Sequence, residues 1–176
     1  MKVAALTVVY VVPLLLARPV ALRAQEDVGI PLGSTIAAAQ VQDLDGNAVD
    51  LAQIVGKKPV LVEFWATWCP VCAALLPRMQ AAWQRYGSQV DFLVVGVGVN
   101  ESRATMQRHL ERHPMPFRFF FDANGAAVRA FQAPATSYVV TLDAGGRVVY
   151  TGMGSEQDLD AALRRALNRG QQDRAR

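Results

Sequence analysis

The fold of this chain is decided by one stretch of sequence, Val60-Leu61-Val62-Glu63-Phe64-Trp65-Ala66-Thr67-Trp68-Cys69-Pro70-Val71-Cys72. An apolar, β-branched run stops at Cys69, and a pattern typical of a helix begins at Pro70. Cys69 and Cys72 are the only 2 cysteines of the chain, and they lie at this strand-to-helix junction. A thiolate at a helix N-terminus faces free N–H groups and the positive end of the helix dipole, which lowers its pKa. The pattern therefore predicts a pair suited to thiol–disulfide exchange.

Two other uses of the cysteine pair remain open. His109 and His113 have the His-x3-His spacing of some zinc motifs, so a zinc site that includes Cys69 and Cys72 is one of them. The gap from Cys72 to His109 is far longer than in a compact zinc finger, and both histidines lie in a stretch typical of a charged, solvated helix face. The second alternative is a purely structural disulfide. Closing so short a loop removes little entropy from the unfolded chain, so the bond would add little stability.

Residues 1–24 have the features of a secretory signal peptide. Lys2 supplies a positive start, residues 3–17 are almost entirely apolar, and Ala24 offers a small residue for cleavage. The apolar part is short for a membrane span, and an uncleaved N-terminal anchor is the alternative. We therefore expect an extracytoplasmic protein, in the periplasm or cell envelope of a bacterial-type cell, that is secreted or anchored at its N-terminus.

The charge balance argues against nucleic acid as a partner. The whole chain has 18 basic and 15 acidic side chains, a formal charge of +3. Lys2, Arg18 and Arg23 lie in the predicted signal peptide, which has no acidic residue, so 15 of each sign remain after its removal. The mature chain is therefore close to neutral, and we expect no nucleic-acid binding.

The rest of the chain has the length of one domain with its own hydrophobic core. We expect a lead-in segment at 25–40, a folded domain at 41–170 and a polar tail at 171–176. Asp45-Gly46 between alternating apolar residues predicts an early hairpin.

Strand and helix patterns then alternate. Val60 to Trp65 reads as a buried strand and 70–86 as a helix, with Pro70 in its first turn and Pro77 inside it, where it should kink the helix. The apolar stripe predicted for this helix is Leu75, Leu76, Met79, Ala82, Trp83 and Tyr86. Further predicted elements are a central strand at 90–99, a helix at 101–113, a strand at 117–121, a short helix at 126–131, a hairpin of 138–142 with 147–151, and a last helix capped by Ser155 and ended by Gly170. This order predicts a mixed sheet covered by helices on both faces.

These motifs resemble the thioredoxin superfamily, and within it the exported thiol–disulfide oxidoreductases of the TlpA, ResA and cytochrome c-maturation group. The stretch from Phe64 to Cys72 is close to the active-site signature of that group, and Pro77 matches its helix-kinking proline. The likeness extends over residues 40–170 and is most specific around the cysteines. It implies an α/β fold, a thioredoxin-like three-layer α/β/α sandwich with a mixed central sheet and an N-terminal β-hairpin. We expect no cofactor and no resident metal.

The resemblance implies a role for each cysteine. Cys69, at the helix tip, would be the exposed nucleophile that attacks a partner disulfide, Cys72 would be the resolving thiol, and Trp68 would shield the pair. Glu63 stands where thioredoxin has a buried acidic residue. A carboxyl in that low-dielectric position should have a raised pKa, which suits accepting the proton of Cys72. The alternative is that Glu63 points to solvent at a sheet edge.

One loop departs from the family pattern. The family places a cis-proline opposite the cysteines, and this chain has Ser137 in that position. Pro134 comes three residues early. Either a local shift brings Pro134 into place, or the cis-proline is missing and the Thr136–Ser137 peptide is trans. Because this loop docks the partner backbone in the family, the resemblance implies partner-binding residues at Trp68, Pro70, Pro134, Thr136 and Ser137.

The sequence therefore favours an exported enzyme that reduces disulfides of extracytoplasmic proteins and is recharged by a membrane electron donor. A disulfide oxidant is an alternative, although Pro70-Val71 between the cysteines carries no charge or imidazole to stabilise a Cys69 thiolate strongly. A peroxidase does not fit, because Ala66 stands where such enzymes need a threonine. The alternative from a different class is a non-catalytic metallochaperone that holds copper or zinc through Cys69 and Cys72.

Overall fold

A computed structural model describes residues 28–174, with side chains as far as residue 169. The predicted signal peptide, 1–24, lies outside the described residues. The elements in chain order are β1 (Gln40–Asp43), β2 (Ala48–Asp50), a 3-10 turn (Leu51–Gln53), β3 (Val60–Trp65), α1 (Pro70–Tyr86), β4 (Asp91–Val97), α2 (Arg103–Arg112), β5 (Arg118–Asp122), α3 (Ala126–Ala130), β6 (Tyr138–Leu142), β7 (Val148–Met153) and α4 (Leu159–Arg174). None of the helices in this part of the chain combines the length and the apolar character that a bilayer span requires.

The strands form one mixed sheet in the order β2-β1-β5-β4-β3-β6-β7. β3, β4 and β5 run parallel to one another, and the other neighbours are antiparallel. In the β1–β2 hairpin Gly46 adopts a φ of 93°, in the left-handed region that glycine tolerates best. β3 lies inside the sheet between β4 and β6 and is buried along its whole length, as its apolar run predicted. The predicted α/β fold with a mixed sheet is confirmed.

The side chains of β3 alternate between the two faces of the sheet. Trp65 packs edge-on against His109 of α2, with ring centroids 5.4 Å apart. Phe64 points the other way, toward Phe131 at the end of α3, at 5.5 Å. Helices therefore cover both faces around the end of β3 that leads into α1.

Helix α1 has the bounds that the sequence predicted, with Pro70 in its first turn and Pro77 inside it. A narrow seam of four of the predicted core residues is buried: Leu75, Met79, Ala82 and Tyr86. Leu76 is only partly buried, and Trp83 is exposed, so its assignment to the core was wrong. Both lie one residue beyond a seam position, which is about 100° round the helix.

Some predicted element ends were wrong by a few residues. Helix α2 begins at Arg103, because the Ser102 hydroxyl caps it by accepting the N–H of Thr105. Helix α4 begins at Leu159 and not after Ser155, since the Asp158 carboxylate accepts the N–H of Ala161 at 2.9 Å. It continues through Gly170 to Arg174, so the predicted end at Gly170 was wrong. A glycine inside a helix costs about 1 kcal/mol and need not end it.

Candidate active site

A disulfide bond joins Cys69 and Cys72 at the N-terminus of α1. Cys69 is the N-cap residue of the helix, and its Sγ accepts the backbone N–H of Cys72 at 3.1 Å. A helix N-terminus that directs an N–H at a sulfur also stabilises a thiolate there once the bond is reduced. The junction predicted from the sequence thus holds the two sulfurs in one redox pair.

Cys69 is less accessible than the sequence predicted. In this oxidised state it is 5% exposed, and Cys72 is 1% exposed. The expectation of an exposed nucleophile was wrong here, because Cys69 lies in the wall of a groove and not on an open helix tip. Trp68 is 47% exposed beside it, and its indole N–H donates to the Val99 carbonyl at 2.9 Å. A partner must therefore enter the groove to reach the sulfur.

The groove has a volume of about 370 Å³. Its lining consists of Trp68, Cys69, Pro70, Val71, Ala135, Thr136, Ser137, Met153 and Gly154. The structure thus brings four of the five residues named as partner-binding together beside Cys69. The fifth, Pro134, is exposed and does not line the groove.

Ser137 occupies the position at which the family has its cis-proline. No cis peptide bond occurs in residues 28–174, so of the two alternatives the structure has the second, in which the cis-proline is missing and the Thr136–Ser137 peptide is trans. Ser137 has a φ of 61°, which is uncommon for a residue other than glycine. Its N–H donates to the carbonyl of Phe64 at 2.7 Å, which extends the pairing of β6 with β3 up to the groove.

Glu63 is buried in the sheet and is 3% exposed. It lies opposite Val94 of β4 and Val139 of β6, on the same face of β3 as Trp65. Burial alone raises the pKa of its carboxyl to about 8. Within the described residues, its Oε1 atom has no hydrogen-bond partner. The alternative of a solvent-facing carboxylate at a sheet edge is therefore excluded.

Residues 31–167 match the family model described as Redoxin. The chain belongs to the Redoxin family. It is 28% identical over 119 residues to the thiol-disulfide oxidoreductase ResA of Halalkalibacterium halodurans, covering 66% of each chain. It is 28% identical over 141 residues to ResA of Geobacillus kaustophilus, covering 78% of this chain and 79% of the relative. Family and relatives identify a thioredoxin-like thiol–disulfide oxidoreductase and confirm the resemblance drawn from the sequence.

A solved structure agrees with this redoxin in fold. The thioredoxin domain of a thiol-disulfide oxidoreductase from Bacteroides vulgatus superposes with a TM-score of 0.66 at 16% identity. The match covers 78% of this chain and 99% of that domain. The thioredoxin-like architecture is therefore confirmed for nearly the whole of the described region.

Glu101 is a residue of this redoxin's site that the sequence reasoning missed. Its Oε2 atom accepts the backbone N–H of Thr67 at 2.9 Å and the Thr67 hydroxyl at 2.5 Å. Its other oxygen accepts the N–H of Ser102 at 3.2 Å. The carboxylate thus connects the turn before Cys69 to the start of α2. The only sequence signal was an acidic residue placed directly before a helix cap.

The two histidines do not join the cysteines. His109 packs on Trp65, and its ring centroid lies 4.7 Å from that of His113. Burial, followed by the nearby His113 and Arg112, lowers the pKa of His109. Across residues 28–174 no group of three or more histidine, cysteine or acidic side chains is gathered as a metal site would need. The four-ligand arrangement considered from the sequence is therefore not assembled here.

Proposed function

We propose that this redoxin reduces disulfides of extracytoplasmic partner proteins through the Cys69–Cys72 pair. One observation carries the proposal: Cys69, the first cysteine of a disulfide pair at a helix N-terminus, lines a groove open to a partner. The oxidoreductase class rests on the family and its relatives. The direction of electron flow, the compartment and the partners are the parts that we add.

The reaction takes place in two exchanges. The Cys69 thiolate attacks one sulfur of the partner disulfide, and the other partner sulfur leaves as a thiolate. A mixed disulfide then joins Cys69 to the partner. Cys72 gives up its proton and attacks the Cys69 sulfur, which forms the Cys69–Cys72 bond and releases the second partner thiolate. Two electrons pass to the partner, and the protein ends in the disulfide form described above.

Glu63 is our candidate for the group that accepts the proton of Cys72. A pKa of about 8 lies close to the ordinary value of a thiol, roughly 8.5, so transfer between the two costs little free energy. A carboxyl that is buried without a charged partner also has no ion pair to break when its protonation changes.

The groove supports binding of an extended peptide around the partner's cysteine. The N–H and C=O of Thr136 make no backbone hydrogen bond within residues 28–174, so both are available to a partner backbone. Trp68, Val71 and Met153 are exposed apolar side chains in the lining, and no charged side chain belongs to it. We therefore propose partner disulfides flanked by uncharged, partly apolar residues.

The compartment that we propose rests on the N-terminal sequence. A signal-like segment at 1–24 supports export, as a free or an anchored protein. A reductase outside the cytoplasm consumes its dithiol at each turnover, so the proposal includes a membrane electron donor that reduces Cys69–Cys72 again.

The reduction potential of Cys69–Cys72 tests the direction of electron flow. It is measured by equilibrating the purified protein in thiol redox buffers and quantifying the disulfide fraction. A value at or below about −250 mV is expected of a reductase. A value near about −120 mV would make the protein an oxidant instead. Failure of the pair to oxidise in any buffer would favour the metal-binding alternative.

A further inference from the structure

The loop that faces Cys69 is held by a closed set of hydrogen bonds centred on Gln157. The Ser137 carbonyl accepts the Nε2–H of Gln157 at 3.0 Å, and the Gly154 carbonyl accepts the other Nε2–H at 2.7 Å. The Ser137 hydroxyl accepts the N–H of Gly154 at 3.2 Å. Ser137 and Gly154 both line the groove, so this set of bonds borders the site of exchange.

The orientation of the Gln157 amide is fixed by its partners. Both partners of Nε2 are backbone carbonyls, which can only accept, and the Tyr150 hydroxyl donates to Oε1 at 3.1 Å. Gln157 is itself 7% exposed. A buried amide with both donor hydrogens and its oxygen engaged in this way has no room for an alternative arrangement.

Ser137 depends on these bonds because of its backbone conformation. A φ of 61° is unfavourable for a residue with a Cβ atom and persists only where the surroundings enforce it. Here the N–H bonds to Phe64, the carbonyl to Gln157 and the hydroxyl to Gly154. All three hydrogen-bonding groups of Ser137 are therefore engaged. Two of the partners are backbone groups, and the third is the side chain of Gln157.

A second cavity of about 690 Å³ lies next to these hydrogen bonds. Its lining includes Gln157 and two residues of the groove, Met153 and Gly154. The Gln157 amide therefore joins Ser137 to the Gly154 turn beside this cavity.

We propose that Gln157 is a positioning residue that holds the Thr136–Ser137 wall in the geometry needed to dock a peptide beside Cys69. It touches no reacting atom and acts through Ser137 and Gly154. This inference rests on the proposed function, since it requires that partner disulfides bind in the groove. It predicts that loss of the amide impairs reaction with peptide disulfides and spares reaction with small ones.

The test compares two probes that carry the same reacting bond. One is a short synthetic peptide whose single cysteine forms a mixed disulfide with 2-nitro-5-thiobenzoate, and the other is the same mixed disulfide of N-acetylcysteinamide. The reduced protein attacks the cysteine sulfur of each and releases the coloured thiolate, whose appearance gives the rate constant. Gln157→Met removes the hydrogen bonds at nearly constant volume. Gln107→Met is the matched control, because the Gln107 amide also donates to a backbone carbonyl, that of Leu44, outside the groove lining.

We expect Gln157→Met to lower the rate constant for the peptide by about tenfold. This is the effect of misplacing one hydrogen bond between the Thr136–Ser137 wall and the peptide backbone. The rate constant for N-acetylcysteinamide should stay within about twofold, and Gln107→Met should resemble wild type with both probes. Equal losses with both probes, or no loss with either, would overturn the inference. If Gln157→Met does not fold, Gln157→Leu, which also removes the donors to both carbonyls and places no carboxyl beside them, gives the same comparison.

The same two probes give a different result if the proposed function is wrong. In that case the wild-type protein itself would react no faster with the peptide than with N-acetylcysteinamide. A wild-type preference for the peptide that Gln157→Met retains would overturn the positioning role of Gln157 alone.

Discussion

The Glu101 carboxylate accepts two hydrogen bonds from Thr67, one from its backbone N–H and one from its hydroxyl. Thr67 lies in the turn that leads from β3 into Cys69, and Glu101 precedes α2. The position of the active-site turn is therefore set by the segment that leads into α2 as well as by the strand before the turn.

Replacing Glu101 should loosen this turn. We expect Glu101→Ala to lower the free energy of unfolding by about 2 kcal/mol, because hydrogen bonds to a charged group are among the stronger ones. The Thr67 amide should exchange with deuterium at least about tenfold faster. Urea unfolding and hydrogen exchange measure the two effects. Glu111→Ala, an exposed glutamate of α2, is the control and should change neither. Unchanged exchange at Thr67 in Glu101→Ala would show that the carboxylate does not hold the turn.

Removing the Glu63 carboxyl should affect only the second exchange. Cys69 attacks without needing this group, whereas Cys72 must lose a proton. We expect Glu63→Gln to slow breakdown of the mixed disulfide by about a hundredfold, the usual scale of general base catalysis, and to leave the first attack within about twofold. Single-turnover kinetics separate the two steps, since the first releases the partner's leaving thiolate and the second its remaining thiol. Glu63→Asp keeps a carboxyl and should retain part of the rate. Equal rates of breakdown in wild type and Glu63→Gln would remove Glu63 from the mechanism.

Local sequence signals predicted the strand and the helix that carry the cysteines. The strand predicted from the apolar run, Val60 to Trp65, has the bounds of β3, and Pro70 is the first residue of α1, as its preference for the first helical turn predicted. The burial of Glu63 came from the resemblance and not from the local run, which left a solvent-facing position at a sheet edge open.

The walls of the groove were not predictable in the same way. Gln157 bonds to Ser137 at a sequence separation of 20 residues, and Glu101 bonds to Thr67 at a separation of 34. No local pattern records such contacts, since they depend on how loops from separate strands approach one another. The left-handed backbone of Ser137 likewise has no signal in its neighbours, because a serine ordinarily avoids that region. The low exposure of Cys69 follows from these loops and was missed for the same reason.

Asp122 should make a large contribution to the stability of the segment that precedes the groove loop. Its carboxylate is buried and accepts the N–H groups of Ala126 and Val128, at 2.7 and 2.9 Å. Gly125, the N-cap of α3, has no side chain to do this. We expect Asp122→Ala to lower the free energy of unfolding by about 3 kcal/mol, and Asp122→Asn by less because one acceptor remains. Asp45→Ala, in the exposed hairpin turn, is the control for urea unfolding. Equal stability of Asp122→Ala and Asp45→Ala would contradict this assignment.

The buried carboxyl of Glu63 should also make stability depend on pH. Its pKa is about 8 in the folded protein and 4.5 without burial, so between these values the folded state holds a proton that the unfolded state has lost. The stabilisation by this proton is complete below pH 4.5 and is lost as the pH rises through about 8. Wild type should lose about 1.4 kcal/mol of unfolding free energy per pH unit within this window. The pKa of His109 is lowered, so this residue makes stability rise with pH below its ordinary value of 6.5. The effect of Glu63 is therefore measured most clearly above that pH. Urea unfolding of wild type and Glu63→Gln, compared at each pH, isolates the carboxyl because every other group is common to both. Parallel curves for the two proteins would mean that the carboxyl of Glu63 has the same pKa in the folded and unfolded states, and the match between its raised pKa and that of a thiol would be lost with that result.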